Sequence, residues 1–434
     1  MENTATTFVV LIGICFGLRL FLRWRESSWK SEAEKGAAKE SGTSDVGLSR
    51  FQMGWLGVYY AVMMADWLQG PYVYALYREY GFEKAQIAHL FIAGYVSSML
   101  FGTVAGSLAD KLGRRWGCLC FGVCYSLSCL TKLSGSFSVL MAGRLLGGVG
   151  TSLLFSVFEA WMIHEHKERR FSEGGLSSTF SMATFGNGIV AIVAGVAASF
   201  LVDSTGSLVS PFLLSMVILL AVTAYVALSW GENYGDSQIQ FSATLSSALK
   251  DISASSRVPV LGAVQALFEA SMYIFVFMWT PALEATLPPG ASISHGLVFA
   301  SFMVSTMIGS SLFSFLVGFL SPELIGLLTL LSSAVALSTP VYSSFRYIPF
   351  LVFEVCCGLY WPCFGTLRGQ YLPERSRSTI MNFFRVPLNL LVVLVLVRVD
   401  ILSEESVFLV ITAQLSLAVC LQVFLFLKSS VSNN

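Results

Sequence analysis

The sequence predicts an all-α polytopic membrane protein in which two six-helix bundles follow one extra N-terminal transmembrane helix. Of 434 residues, 55% are hydrophobic and only 12% are charged, and the mean hydropathy is +0.71. That charged fraction is about half the value typical of soluble proteins. The apolar runs are long and continuous, which favours helices over the alternating strands of a β-barrel. A soluble enzyme is therefore excluded, and a net charge of zero gives no support for nucleic-acid binding.

A membrane-spanning helix needs about 20 apolar residues. Runs of this length lie near 5–22, 52–76, 86–109, 117–134, 138–163, 177–202, 208–230, 258–283, 294–319, 323–341, 347–367, 379–397 and 405–427. We divide the chain accordingly into an N-terminal anchor (1–22), a cytoplasmic loop (23–50), a first bundle (51–230), a cytoplasmic linker (231–257) and a second bundle (258–434).

The first run reads as a retained anchor and not as a signal peptide. Arg19, Arg23 and Arg25 lie at its C-terminal end and no basic residue precedes it, which is the reverse of the charge order of a signal peptide. With loop 23–50 placed in the cytosol, most Lys and Arg residues outside the spans fall on the inner side, as the positive-inside rule requires. The basic residues on the outer side are then Arg78, Lys84, Lys132, Arg346 and Arg398.

A loop motif joins the second and third core helices. It reads Gly106-Ser-Leu-Ala-Asp110-Lys111-Leu-Gly113-Arg114-Arg115. Gly106 permits close helix approach, Gly113 permits a tight turn, and Asp110 can accept hydrogen bonds from a helix N-terminus or a basic side chain. We expect this motif to be a gate that holds two helix ends together in one conformation and releases them in another; the alternative is a solvated basic loop.

Charged residues also lie within the predicted spans, where they are costly. Arg144 begins the run Arg144–Gly150 of the fourth core helix and is expected to face the bundle interior, either for a ligand or for a structural ion pair. Asp66 of the first core helix aligns with Glu269 of the seventh, and Glu354 of the tenth matches Arg144 in depth, as in parallel repeats. The second half has no clear copy of the gate loop.

The gate loop and the Arg144 run resemble two signatures of the major facilitator superfamily, G-x-x-x-D-[RK]-x-G-R-[RK] and R-x-x-x-G-x-G. Further segments closely resemble the eukaryotic molybdate-anion transporter family, namely 66–72, 155–161, 230–234, 265–269 and 382–388. The resemblance implies the two-bundle fold of the superfamily and uptake of molybdate across the cell membrane. No residue spacing in the sequence identifies the anion.

Polar stripes occur on four helices that line the central cavity in the superfamily fold. In the fourth core helix, Arg144 and Glu159 are about 60° of rotation and about 22 Å of rise apart, so one stripe is expected to hold Arg144 toward the outside and Glu159 near the cytosol. The other stripes are Asp66 with Gln69, Gln265 and Glu269 with Tyr273, and Asn382 and Arg385 with Asn389. We expect these stripes to converge.

Molybdate is a tetrahedral dianion, so its site needs fixed donors and positive potential. Arg144 and Arg385, the only arginines within the predicted core spans, are expected to bind it. The neutral donors expected to replace its remaining hydration are Gln69, Gln265, Asn382 and Asn389. Carboxylates expected to neutralise an arginine in the empty site, or to carry a co-transported proton, are Asp66 and Glu269, with Glu159 and Glu354 as further charge-pair candidates.

The leading hypothesis is secondary transport of molybdate by alternating access in the cell membrane, with an internal membrane as the alternative location. Proton coupling and uncoupled facilitation both stay open. Other hypotheses are transport of another small oxyanion or organic anion such as sulfate, and a non-transporting receptor or scaffold. The expected partners are the anion and the lipid bilayer. No catalytic or metal-binding set appears in the spans, so we expect no enzyme activity, cofactor or metal.

Overall fold

The structure is a computed structural model that describes residues 4–33, 45–235, 249–288, 291, 293–373 and 377–432. Within these ranges all regular secondary structure is helical. Eleven of the described helices are long and apolar enough to cross a membrane. The predicted all-α, multi-pass class is thereby confirmed.

The helices alternate along the chain with short connections. The anchor and first half contain α1 (Thr4–Ala33), α2 (Asp45–Trp67), α3 (Val73–Glu79), α4 (Lys84–Leu112), α5 (Arg114–Leu130), α6 (Phe137–Leu154), α7 (Val157–Glu168), α8 (Glu173–Thr205) and α9 (Ser210–Ser229). The remainder contains α10 (249–254), α11 (Arg257–Glu284), α12 (His295–Leu316), α13 (Pro322–Tyr342), α14 (Tyr347–Tyr371), α15 (Arg377–Leu396) and α16 (Glu404–Ser432). Two core helices are interrupted, the first as α2 with α3 and the fourth as α6 with α7.

The helix pairing of the first half is repeated in the second. Helix α4 packs on α6 as α12 packs on α14, and α5 packs on α9 as α13 packs on α16. Likewise α2 contacts α8 and α9, and α11 contacts α15 and α16. Between the halves, the α8–α12 contact is matched by the α4–α15 contact. This order is that of parallel repeats related by an axis along the membrane normal.

The leading helix α1 touches both halves. Its Phe21 ring lies 6.1 Å from that of Phe315 on α12, and its Arg19 guanidinium lies 4.2 Å from the centre of the Phe185 ring on α8. Helix α1 extends beyond the predicted end of the anchor at residue 22, and α2 begins before residue 51, so both ends of the predicted loop 23–50 are helical. Residues 34–44 of that loop and 236–248 of the predicted linker lie outside the described residues.

The fourth core helix is broken between α6 and α7. The Ser156 backbone, at φ −132° and ψ −54°, leaves the helical region. Its hydroxyl donates to the carbonyls of Ser152 (2.8 Å) and Leu153 (3.2 Å), so the side chain competes with the backbone for the acceptors of the preceding turn. The single stripe predicted for Arg144 and Glu159 assumed an unbroken helix, and its geometry was wrong.

The two halves meet at the end that the charge distribution places outside, called here the outer end. Arg78, in the last turn of α3, forms an ion pair with Glu284 at the end of α11. The hydroxyls of Ser199 and Ser294 are hydrogen-bonded at 2.7 Å. Ring contacts between the halves accompany these bonds, namely Trp67–Phe299, Tyr72–His295, Tyr74–Phe277, Phe91–Phe277 and Tyr95–Tyr273.

Candidate functional site

A stacked tyrosine pair forms the deepest ring contact between the halves. Tyr95 of α4 and Tyr273 of α11 lie 5.2 Å apart between ring centres, with planes only 7° from parallel. Tyr95 is about 16 Å along α4 from its outer start at Lys84. Within the described part of the chain, no ring contact or side-chain hydrogen bond joins the halves on the inner side of this pair. The pair is therefore the innermost of the ring contacts and side-chain hydrogen bonds that join the halves in the described part of the chain.

Arg144 lies on the outer side of the tyrosine pair and is held by its own half. Its Nε donates to the carbonyl of Leu90 at 3.0 Å, and its guanidinium lies 4.9 Å from the centre of the Phe91 ring. A Cβ at Gly94 would come within 2.7 Å of a terminal nitrogen of Arg144, so the glycine makes room for this side chain. No described carboxylate lies within ion-pair distance of Arg144.

Arg385 lies on the inner side of the pair, in α15 of the second half. Its side chain is exposed and makes no hydrogen bond or ion pair with the described residues. One terminal nitrogen lies 3.8 Å from the position of a Cβ at Gly102 on α4, so Arg385 faces the other half. Gly102 is about 12 Å further along α4 than Gly94, and the two arginines therefore occupy different depths against the same helix.

Glu269 is the centre of a buried polar network beside Arg385. Its carboxylate accepts a hydrogen bond from Tyr360 at 2.9 Å. Arg368 donates to the Gln265 amide oxygen at 3.3 Å. The guanidinium groups of Arg368 and Arg385 both interact electrostatically with Glu269. One carboxylate thus faces two guanidinium groups, which leaves net positive charge for an anion.

Asp66 and Gln69 do not join this network. Asp66 accepts a hydrogen bond from Tyr125 of α5. The Gln69 amide donates to the Ala65 carbonyl and to the Ser215 hydroxyl of α9, each at 3.1 Å. Both side chains are thus used within the first half.

The remaining predicted charge-pair residues also lie apart from the arginines. Glu354 is buried between α14 and α12, where its carboxylate accepts a hydrogen bond from Thr306 at 3.1 Å. Glu159 is exposed in the first turn of α7, beyond the break in the fourth core helix. Neither carboxylate forms an ion pair with a described basic side chain.

The two asparagines of α15 differ from each other. The Asn389 amide is buried and donates to the Arg385 carbonyl of its own helix at 2.7 Å. That bond occupies one of its donors within the helix. Asn382 is half-buried one turn before Arg385, and its side chain makes no hydrogen bond to a described residue. Asn382 is therefore the better placed of the two to contact a ligand at Arg385.

The gate loop is held by contacts within its own half. Arg114 binds Asp110 through Nε (2.9 Å) and a terminal nitrogen (2.8 Å), and donates to the Ala160 carbonyl at 3.2 Å. Arg115 donates to the Ala227 carbonyl of α9, while Lys111 is exposed. Open space surrounds the position of a Cβ at Gly106, so no close helix approach occurs there in this conformation, and its role in the gate stays a prediction.

The segment Trp230–Gly235, called here the strap, forms hydrogen bonds to this loop. The Glu232 carboxylate accepts from the backbone N–H groups of Arg115 (2.8 Å) and Trp116 (3.1 Å), which caps the start of α5. The Gly235 N–H donates to the Asp110 carbonyl at 3.0 Å. Position 113 requires glycine for two reasons. Its φ of +114° is one that other residues rarely adopt, and a Cβ there would overlap the Glu232 carboxylate. The predicted gate is therefore tied to the start of the linker.

Sequence reasoning missed Arg368, Tyr360 and Tyr95. The prediction that Arg144 and Arg385 are the only arginines in the core spans was wrong, since α14 continues to Tyr371 and includes Arg368. Pro373 carried a usable signal, because helices end at or before the residue that precedes a proline. No comparable signal in the sequence marks Tyr95 or Tyr360, whose roles depend on which helices face each other.

Comparisons with known proteins agree with this architecture. Residues 31–360 match a family described as sugar transporters with 12 TM. The chain is 36% identical over 399 residues to the molybdate-anion transporter of Xenopus tropicalis. The alignment covers 89% of this chain and 86% of that protein. It is 36% identical over 420 residues to the molybdate-anion transporter of Danio rerio, covering 88% and 85% of the two chains.

Solved structures share the fold at low sequence identity. The POT family transporter PepTSo has a TM-score of 0.70 at 12% identity, covering 89% of this chain and 99% of that chain. The D-xylose-proton symporter has a TM-score of 0.66 at 12% identity, covering 86% and 96%. The nucleoside transporter NupG has a TM-score of 0.66 at 11% identity, covering 87% and 99%. At these identities the likeness concerns the fold alone.

Proposed function

This chain belongs to the molybdate-anion transporter family of the major facilitator superfamily, and from this premise we propose that it carries molybdate across the membrane by alternating access. The relatives named as molybdate-anion transporters match almost its whole length. The twofold repeat of helix pairs supports rocking of one bundle against the other. Among the alternatives, a receptor or scaffold would not need an anion-binding arrangement between the halves.

The observation that carries the proposal is the exposed guanidinium of Arg385, which lies within the apolar helix α15 and forms no hydrogen bond or ion pair with a described residue. A charge at this depth is costly unless it is paired or reaches water. Arg385 is exposed and has no described hydrogen-bond partner, while Arg368 adds a second guanidinium nearby. Two planar donor sets suit a tetrahedral dianion. We assign the anion site of this conformation to Arg385 and Arg368, with Gln265 and Asn382 as neutral donors.

The contacts between the halves support an inward-facing conformation. Hydrogen bonds and rings join the outer end as far as the Tyr95–Tyr273 pair, and Arg385 lies beyond that pair on the inner side. Arg144 lies on the other side of the pair. In the outward-facing conformation, the Arg144 guanidinium releases the Leu90 carbonyl and binds the arriving anion. Separation of Tyr95 from Tyr273 then lets the anion pass to Arg385.

Glu269 takes the place of the anion in the empty site. It faces both guanidinium groups, and its charge would repel a dianion that arrives there. Protonation of Glu269 on anion binding removes that repulsion and couples transport to protons. Asp66 is assigned no such role, because its hydrogen bond comes from Tyr125 and no described basic side chain forms an ion pair with it. Glu269 is therefore the proposed coupling residue.

Proteoliposomes containing the purified full-length protein test the function. We expect saturable uptake of labelled molybdate above protein-free liposomes, with weak inhibition by excess sulfate and faster uptake down an inward proton gradient. Equal inhibition by sulfate and by unlabelled molybdate would show that the protein is a general oxyanion carrier instead. Uptake indifferent to the gradient would remove the proton role from Glu269. Absence of uptake above the protein-free background would contradict transport itself.

A further inference from the structure

A cavity of about 620 Å³ lies at the inner end of the second half, between the start of α11 and the end of α16. Residues 254–257 form one wall, and Phe424, Leu427 and Lys428 form the other. None of these residues belongs to the proposed anion site. The cavity is open to the surface, at the end of the molecule that the charge distribution places in the cytosol.

Two basic side chains share this cavity, and neither is ion-paired with a described carboxylate. Arg257 donates to the backbone carbonyl of Lys428 at 2.9 Å and lies 5.5 Å from the centre of the Tyr371 ring. The Lys428 ammonium donates to the Ser256 hydroxyl. These partners are all uncharged, and no ion pair joins Arg257 or Lys428 to a described carboxylate. Like charges gathered in this way repel each other and attract an anion.

The first turn of α11 has few free backbone N–H groups that could donate to such an anion. The N–H of Arg257 donates to the Ser255 hydroxyl and that of Val258 to the Ser255 carbonyl, each at 3.3 Å. Pro259 has no N–H. Binding therefore depends on the Arg257 and Lys428 side chains, with the Ser256 hydroxyl as a neutral donor.

The same cavity has an apolar wall. Phe424 is 41% exposed and Leu427 is 58% exposed, directly beside Lys428. A soluble anion gains nothing from these side chains, whereas the acyl chain of a lipid can lie along them. Basic pockets between transmembrane helices on the cytoplasmic side are suited to anionic lipid head groups. We propose that this cavity binds an anionic phospholipid, its phosphate between Arg257 and Lys428 and its acyl chain along Phe424 and Leu427.

Native mass spectrometry of the purified full-length protein tests the site with phosphatidylserine and phosphatidylcholine of identical acyl chains. We expect the wild type to retain phosphatidylserine roughly thirty-fold better, since each basic residue near an anionic surface contributes about fivefold. The double variant Arg257→Gln/Lys428→Gln should bind both lipids equally. The charge-keeping variant Arg257→Lys/Lys428→Arg should keep the preference. Lys167→Gln, which removes an exposed inner-end charge of the other half, is the matched control and should also keep it.

Three results would overturn the lipid site. These are equal retention of the two lipids by the wild type, a preference that survives in the folded double variant, and a preference lost in Lys167→Gln as well. A competition arm adds inorganic phosphate alone, and displacement of phosphatidylserine by it would assign a site for soluble anions instead. The wild-type ratio and the charge-keeping variant decide the proposal even where the double variant does not fold.

Discussion

Arg144 and Arg385 lie on opposite sides of the Tyr95–Tyr273 pair, and their surroundings differ. Arg144 is anchored to the Leu90 carbonyl and the Phe91 ring of its own half. Arg385 is exposed, has no described bonding partner and faces the other half. An arginine within a membrane span can thus be satisfied by its own scaffold or left available for a ligand. We therefore propose that Arg385, and not Arg144, binds the anion in the conformation described.

The largest expected effect comes from Arg385→Gln. Truncating one partner of a buried charged contact typically costs at least about 2 kcal/mol, so molybdate uptake should fall by about thirty-fold or more. Initial uptake rates in proteoliposomes measure this. Arg398→Gln removes an exposed arginine that follows the same helix and should leave uptake unchanged. Comparable uptake by the two variants would place the anion elsewhere.

The gate loop offers a matched pair of glycine substitutions. Gly113→Ala places a side chain at φ +114° and against the Glu232 carboxylate, and should cost about 1–3 kcal/mol in backbone strain alone. The melting temperature in detergent should therefore fall. Gly106→Ala meets open space and should leave the melting temperature unchanged. Similar behaviour of the two variants would refute the strap between Glu232 and the start of α5.

A smaller effect is expected from Glu269→Gln. Removing the carboxylate that competes for Arg368 and Arg385 should strengthen molybdate binding about tenfold, in line with about 1.5 kcal/mol for a charged hydrogen bond. Transport by this variant should no longer respond to a proton gradient. Binding is measured by equilibrium titration and coupling by uptake with and without the gradient. Weaker binding would show that Glu269 supports the anion site instead of occupying it.

The smallest effect is expected at the outer end. Arg78 is 55% exposed in its ion pair with Glu284, so the pair contributes about 0–1 kcal/mol. Arg78→Gln should favour opening of the outer end and lower the apparent KM for external molybdate by up to about fivefold. High salt should reproduce this change in the wild type and have little effect on the variant. A raised KM would contradict the closing role of the pair.

The sequence predicted the fold more completely than the site. The length and hydropathy of the apolar runs predict helices, although the runs 52–76 and 138–163 are each interrupted, and the order of the runs predicts the repeat of two halves. The polar stripes were less informative, because a shared face does not reveal which neighbour that face meets. Asp66 and Gln69 were predicted to share one helix face, yet α2 ends at Trp67, and the two side chains bond to α5 and α9 of their own half.

Two features of the site depend on packing that no local pattern encodes. The Tyr95–Tyr273 pair forms only because α4 and α11 face each other across the halves. The break at Ser156 interrupts the apolar run from 138 to 163, although no Gly or Pro lies at residues 154–158. Arg368 was within reach of sequence reasoning, because Leu372 precedes a proline and marks the end of α14.

Binding of molybdate to the detergent-solubilised protein, compared between Arg385→Gln and Arg144→Gln, tests the central claim most directly. In an inward-facing population, Arg385→Gln should abolish measurable binding, whereas Arg144→Gln should leave the Kd within about twofold of the wild type, since Arg144 is held on the far side of the tyrosine pair. Loss of binding in Arg144→Gln with retention in Arg385→Gln would contradict the account.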